Sequence, residues 1–270
     1  MIASYSTFTA DLHHHGLTYA LQHSAALGFE AVEILSTRRD RIPTESEVRA
    51  ARKQFDAFGL PVVCYSVAVD LSTGDAAPIE ALKRHAEYAA ILGSSYLHHT
   101  LLPALSQQAS APAYADVLPR VLDAAAQVAR HASSLGVTCL YEPQGYYFNG
   151  MVGLGHFLAE IKKLCPNVGI CADAGNPLFL HEDPVALAKA LAADVRHVHV
   201  KNYGITRTEP TAKERYLLSN GTWLGATSLQ EGAVDIRALL AALPDYEGAI
   251  SIEQNATDDE IKAAIAFLKS

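Results

Sequence analysis

Four stretches decide how this chain is read: LGFEAVEIL (residues 27–35), FGLPVVCYSV (58–67), LGSSYLHHTL (92–101) and LGVTCLYEP (135–143). In each, a helical stretch stops at a glycine and an apolar strand begins at once. Gly28, Gly59, Gly93 and Gly136 stand where a helix ends in the left-handed conformation that glycine adopts without strain. Their spacings of 31, 34 and 43 residues suit a repeated strand–helix unit.

Working outward, eight strands are expected: Ile2–Thr7, Ala31–Leu35, Pro61–Val67, Tyr96–Leu101, Val137–Glu142, Val168–Asp173, Val195–Lys201 and Ala249–Glu253. Most are continuously apolar, the mark of strands buried on both faces of a parallel sheet. Helical periods fill the gaps. Thr44 and Glu47 form a capping box ahead of Val48, Ala51 and Phe55, and Thr257 and Glu260 form another ahead of Ile261, Ala264 and Ile265. Eight alternating units predict a single α/β domain over residues 1–270, a closed (β/α)8 TIM barrel. Residues 202–234, between the last two strands, read as a long functional loop.

Composition narrows the function. Of 270 residues, 50% are hydrophobic and 19% charged, which describes a folded globular chain. A net charge of −8 repels phosphate backbones and argues against nucleic acid as a partner. No apolar run is long enough to span a membrane, and the first residues lack the pattern of a signal peptide. The cysteines form no CxxC pair, three of the four lie in apolar runs, and a reducing cytoplasm is the expected compartment. Gly153–Gly155 lacks the spacing of a phosphate-binding loop.

In a barrel of this type, chemistry sits at the C-terminal ends of the strands. Four consecutive strands end there in a polar donor: Glu142, Asp173, His199 and Glu253. Taken singly, each is as well explained by a salt bridge. Converging together, three carboxylates repel one another unless a cation joins them. A mostly oxygen donor set with one imidazole favours one divalent metal ion, Mn2+, Mg2+ or Co2+, and accommodates Zn2+.

These residues carry a resemblance. YEP, DAGNP, HVHVKN and EGAVD followed by ISIEQN, together with GFEAVEI near the start, resemble the sugar phosphate isomerase/epimerase superfamily of xylose isomerase-like barrels across essentially the whole chain. The motifs are individually weak. Their order and spacing, 31 residues from Glu142 to Asp173, 26 on to His199 and 54 on to Glu253, are specific. The resemblance implies one divalent metal held by these four residues, with Glu142 and Glu253 as the acid/base pair, and the family's barrels often associate as homodimers. It also shows departures. The epimerases carry His, Glu and Arg where this chain has Asn176, Phe148 and Ile205, so ketohexose 3-epimerase specificity does not follow.

The implied chemistry is coherent. A substrate carbonyl and neighbouring hydroxyl chelate the metal, the C–H between them becomes acidic, and the enediolate is stabilised. One glutamate removes the proton and the other returns it. Around this centre, Asn176, Lys201, Glu33, His197 and one of His98 and His99 are candidate substrate contacts. Glu33 is expected to meet a sugar hydroxyl or Lys201, and His197, one layer below His199, reads as a hydrogen-bonded core residue. His13, His14 and His15 read as a loop, and His85, His131 and His181 as surface residues. Tyr146, Tyr147 and Trp223 are expected in loops on the catalytic face. A metal-dependent isomerase or epimerase of a small sugar or polyol is the leading function. The alternative is a dehydratase of the inosose or dehydroshikimate type. An endonuclease-four-type phosphodiesterase lacks the required histidines, and a non-catalytic sugar-binding protein leaves the four-donor set unexplained.

Overall fold

The computed structural model describes residues 1–37, 41–102, 105 and 113–270. Eight parallel strands close into a barrel: β1 (Ile2–Ser4), β2 (Ala31–Ser36), β3 (Val62–Val67), β4 (Tyr96–His99), β5 (Thr138–Tyr141), β6 (Val168–Asp173), β7 (Val195–Val200) and β11 (Ile250–Ile252). They follow one another round the ring in chain order, and β11 pairs with β7 on one side and β1 on the other. The expected (β/α)8 barrel is therefore the observed one.

The helices between strands are α1 (Ser6–His15), α2 (Leu17–Leu27), α3 (Glu45–Phe58), α4 (Ala76–Leu92), α5 (Tyr114–Ser134), α6 (Met151–Leu164), α7 (Pro184–Ala190), α8 (Ile236–Ala241) and α9 (Asp258–Lys269). Both capping boxes form, at Thr44 with Glu47 and at Thr257 with Glu260. Gly28, Gly59 and Gly93 cap their helices in the left-handed region, with φ of 92°, 65° and 78°.

Alternation along each strand divides the core in two. Outward residues such as Val198, Cys139 and Tyr141 pack against the helices in the main hydrophobic layer. Burial of each large apolar side chain there contributes about 1.5–3 kcal/mol. A smaller cluster of Cys64, Leu140 and Cys171, covered by Tyr96, is separate from that layer. All four cysteines are buried and free.

Several expectations need correction. The first strand stops at Ser4, because Ser6–His15 is helical, so His13, His14 and His15 form the last turn of α1 rather than a loop. His85 is buried, between the rings of Tyr65 and Tyr88, and not on the surface. The 202–234 stretch is not one irregular loop. It holds an antiparallel sheet of β8 (Asn202–Thr206), β9 (Arg215–Leu217) and β10 (Trp223–Thr227), with β10 in the middle, which places Trp223 on a strand. Asn202 ties both ends of this excursion together. Its amide nitrogen donates to the carbonyls of Leu229 (2.9 Å) and Val234 (2.8 Å), and its oxygen accepts from the Val234 amide at 3.1 Å. Among the described residues, no helix is long and apolar enough to cross a membrane.

His23 on α2 joins the two ends of the chain. Its Nδ1 lies 2.8 Å from Asp11 on α1 and its Nε2 3.2 Å from Asp258 at the start of α9. Burial pulls the imidazole pKa down, but the hydrogen bonds to Asp11 and Asp258 outweigh it, and the net shift is upward. A raised folded-state pKa means that the clamp contributes fully below the ordinary imidazole range. Its contribution disappears as pH rises through the shifted value. His23→Gln should lower the melting temperature by about 1–3 °C at pH 5.5 and by less at pH 9. Equal losses at both pH values in thermal unfolding followed by circular dichroism would exclude the charged clamp.

Candidate metal centre

β5, β6, β7 and β11 each deliver one donor to the same end of the barrel. Glu142 and Glu253 immediately follow their strands, Asp173 ends β6, and His199 is the next-to-last residue of β7. Register brings them level: Asp173 is the direct partner of His199, which in turn pairs with Ser251, two residues before Glu253. One ligand atom from each of the four lies within 4.8 Å of the others. From Nδ1 of His199 the distances are 3.2 Å to Glu253 Oε2, 3.4 Å to Glu142 Oε2 and 3.9 Å to Asp173 Oδ2.

Local sequence aims these groups. The Asp-Ala-Gly-Asn run folds back on itself, so that Oδ1 of Asp173 accepts from the amides of Gly175 (2.8 Å) and Asn176 (2.7 Å). Its other oxygen is left for the cluster. Gly175 is required by close approach: a Cβ there would sit 2.6 Å from the Tyr203 ring and 2.9 Å from the Lys201 side chain. Lys201, two residues past His199, reaches back to lie 3.1 Å from both Asp173 Oδ2 and Glu253 Oε2.

The electrostatics follow from this crowding. Burial and the neighbouring charges push Asp173 up to about 6, although Lys201 opposes the shift. Glu142 moves the other way: burial disfavours its charge, but His98 and His199 hold its pKa below the usual carboxylate range. Glu253 is also lowered, burial being outweighed by Lys201 and His199. Lys201 is raised well above its ordinary value despite burial, because Asp173 and Glu253 face it.

The donor set fits a divalent cation. Glu142 Oε2, Asp173 Oδ2 and His199 Nδ1 are buried and make no hydrogen bond, the contacts just given being ion-pair approaches without hydrogen-bond alignment. Buried polar atoms without partners are costly. A single cation bound by three carboxylate oxygens and an imidazole nitrogen would satisfy all three together.

The remaining candidates separate by direction. On β4, His98 faces the cluster, with Nε2 3.4 Å from Glu142 Oε1. His99 faces away, buried against the Tyr141 ring and bonded to the Thr100 carbonyl, so of this pair only His98 faces the cluster. His197 is fully buried, with Nε2 on Glu33 (2.8 Å) and Ser251 (3.0 Å), as a core histidine should be. Glu33 corrects its expectation. It is fully buried and meets neither solvent nor Lys201, and its partners are Ser66, His197 and His199. Asn176 is buried beside Asp173, its side-chain oxygen without a partner.

Two further residues contact the cluster or its supports. Tyr5 follows β1 directly and stacks on His199, ring centroids 5.0 Å apart and planes 25° from parallel. Ser66 accepts a place between Glu33 and His98. Tyr5 was findable, since it stands at a strand's C-terminal end. Ser66 carried no signal.

The fold is shared with solved structures over nearly their full lengths. A D-allulose 3-epimerase from Methylomonas sp. is 17% identical, with a TM-score of 0.73, covering 99% of this chain and 96% of that one. A xylose isomerase-like TIM barrel protein from Mycobacterium smegmatis in complex with magnesium is 16% identical, with a TM-score of 0.74 and coverages of 99% and 94%. A probable 3-DHS dehydratase from Bacillus anthracis is 16% identical, with a TM-score of 0.76 and coverages of 100% and 98%. No curated protein matches the sequence. The family profile of the xylose isomerase-like TIM barrel matches residues 21–270. With the closed barrel and that match over most of its length, the chain belongs to the xylose isomerase-like TIM barrel family.

Proposed function

We propose that this protein is a divalent-metal-dependent isomerase or epimerase of a small sugar, keto-sugar or polyol. The observation that carries the reading is the convergence of Glu142, Asp173, His199 and Glu253, with three buried ligand atoms lacking hydrogen bonds. Magnesium in the M. smegmatis relative supports a cation of this class. The sugar epimerase among the structural neighbours supports the substrate class.

A bound divalent cation would supply Lewis acidity beside a substrate carbonyl. The chain's residues do the rest. Glu142 and Glu253 are the proton-transfer pair. They come from β5 and β11, which stand three places apart round the ring, so they approach a substrate from different directions. Both are held below the usual carboxylate range by the cationic groups beside them, His98 and His199 for Glu142 and Lys201 and His199 for Glu253. Asp173 serves as a ligand, tied in place by two backbone amides. His98, Lys201 and Asn176 line the site as substrate contacts. Glu253 is the most accessible of the four donors, its side chain 25% exposed, and Glu142 lies deeper at 4%.

Substrate choice differs from that of the ketohexose 3-epimerases. At the position of their additional Glu, Phe148 is fully buried and packs on Phe157, with ring centroids 5.6 Å apart. At the position of their Arg, Ile205 is half exposed on β8 and offers no polar group. A dehydratase is the second reading, favoured by the likeness to the B. anthracis protein. It shares the proton abstraction and differs in losing a hydroxyl.

Incubation of the metal-loaded enzyme in D2O with a panel of ketoses and inososes should label one substrate carbon, read by mass spectrometry. Loss of 18 mass units with a new enone absorbance would replace isomerisation by dehydration. Glu142→Gln and Glu253→Gln should each reduce deuterium incorporation by about 100-fold or more while leaving the circular dichroism spectrum intact. Wild-type exchange in both variants would remove the two glutamates from the chemistry. Asp173→Ala should purify with less than about a tenth of the wild-type metal content by elemental analysis, and full occupancy would take Asp173 out of the ligand set.

A further inference from the structure

Glu33 lies beneath the four-donor cluster, on β2, with no exposed surface. Its two oxygens are fully engaged. Oε1 accepts from the Ser66 hydroxyl and from His199 Nε2 at 3.0 Å; Oε2 accepts from His197 Nε2 at 2.8 Å and faces His199 Nε2 at 3.1 Å. Nothing is left with which to hold a substrate. An ionised carboxylate only accepts hydrogen bonds, so the imidazole nitrogens facing it carry hydrogen.

That requirement has a consequence at His199. With Nε2–H committed to Glu33, Nδ1 is the nitrogen left to face Glu142, Asp173 and Glu253. Packing cannot make this choice. Tyr5 stacks on the ring, and His98 and His197 meet it edge-on at 5.3 and 5.2 Å. A half-turn about χ2 exchanges Nδ1 with Cδ2 and Nε2 with Cε1 without moving the ring plane. Stacking is blind to that exchange, and a hydrogen bond is not.

A second arm runs from the same carboxylate. The single hydroxyl hydrogen of Ser66 goes to Glu33, so its oxygen accepts from His98 Nδ1 at 2.9 Å. Nε2 of His98 then faces Glu142.

We infer that Glu33 is a positioning residue: it clamps His199 through Nε2, presents Nδ1 as the metal ligand, and through Ser66 orients His98 against Glu142. The assignment rests on the metal-centre reading above. Outer carboxylates that orient a ligating histidine are worth about 10–100-fold in metal affinity.

Calorimetric titration with Mn2+ tests it in the wild type, Glu33→Gln and Ser251→Ala. Ser251 touches His197 in the same buried region but makes no bond to His199. Glu33→Gln should raise the Mn2+ dissociation constant by about 10–100-fold, and Ser251→Ala should leave it within about twofold. Unchanged affinity in Glu33→Gln, or an equal loss in both variants, overturns the assignment and leaves the metal centre standing. Failure of the wild type to bind Mn2+ overturns both. A separate measurement needs no variant and decides the matter if Glu33→Gln does not fold. In the 15N-histidine-labelled, Zn2+-loaded wild type, long-range 1H–15N spectra should show His199 with hydrogen on Nε2 and metal on Nδ1. Metal on Nε2 overturns the assignment.

Discussion

The mutual repulsion of buried carboxylates is the constraint on which the rest of this structure depends. Glu33, Glu142, Asp173 and Glu253 lie within reach of one imidazole at the end of a closed barrel, the first three buried and Glu253 25% exposed. Such a group of charges in a medium of low polarity is unfavourable unless each is matched. The chain matches them from two sides. Lys201 stands between Asp173 and Glu253, and His199 stands between Glu33 on one edge and the other three on the opposite edge. Burial and the neighbouring carboxylates still push Asp173 up to about 6, although Lys201 opposes the shift.

The fold exists to hold that arrangement still. Parallel strands, tilted round a ring, bring four successive strand ends to one end of the barrel, where their side chains meet. The polar layer of Glu33, Ser66, His98 and His197 keeps the histidines oriented, while Cys64, Leu140 and Cys171 form a small apolar cluster of their own. Past the end of β7, Asn202 gathers the β8–β10 excursion at its base.

Much of this was legible in the sequence. The eight strands were visible as apolar runs, four of them following helix-ending glycines, and β6 has the very bounds its pattern predicts, Val168–Asp173. The four donors stood out because a charged residue closing an apolar run is unusual. Other features were hidden. Ser66 looks like any strand serine, and Tyr5 reads as part of an apolar strand that in fact ends at Ser4. The sheet inside residues 202–234 was missed because its strands are short and partly exposed, with no strong alternation to announce them. His85 reads as a surface residue because a lone histidine in a helix has no pattern to reveal that two tyrosine rings enclose it.

The amino-acid sequence by itself determined the eight-unit barrel and the four residues at its mouth, because periodicity and the position of polar residues at strand ends are local properties. Direction and pairing were decided only in three dimensions. Adjacent residues on a strand point to opposite faces, so one of His98 and His99 had to face inward, but only the closed sheet shows that it is His98. Glu33 is separated from His197 and His199 by more than 160 residues, and its hydrogen bonds to them follow from the register of a ring that closes between β11 and β1. A carboxylate that reads from its own strand as a substrate contact is thus made, by closure of the barrel, into the support beneath the candidate metal site.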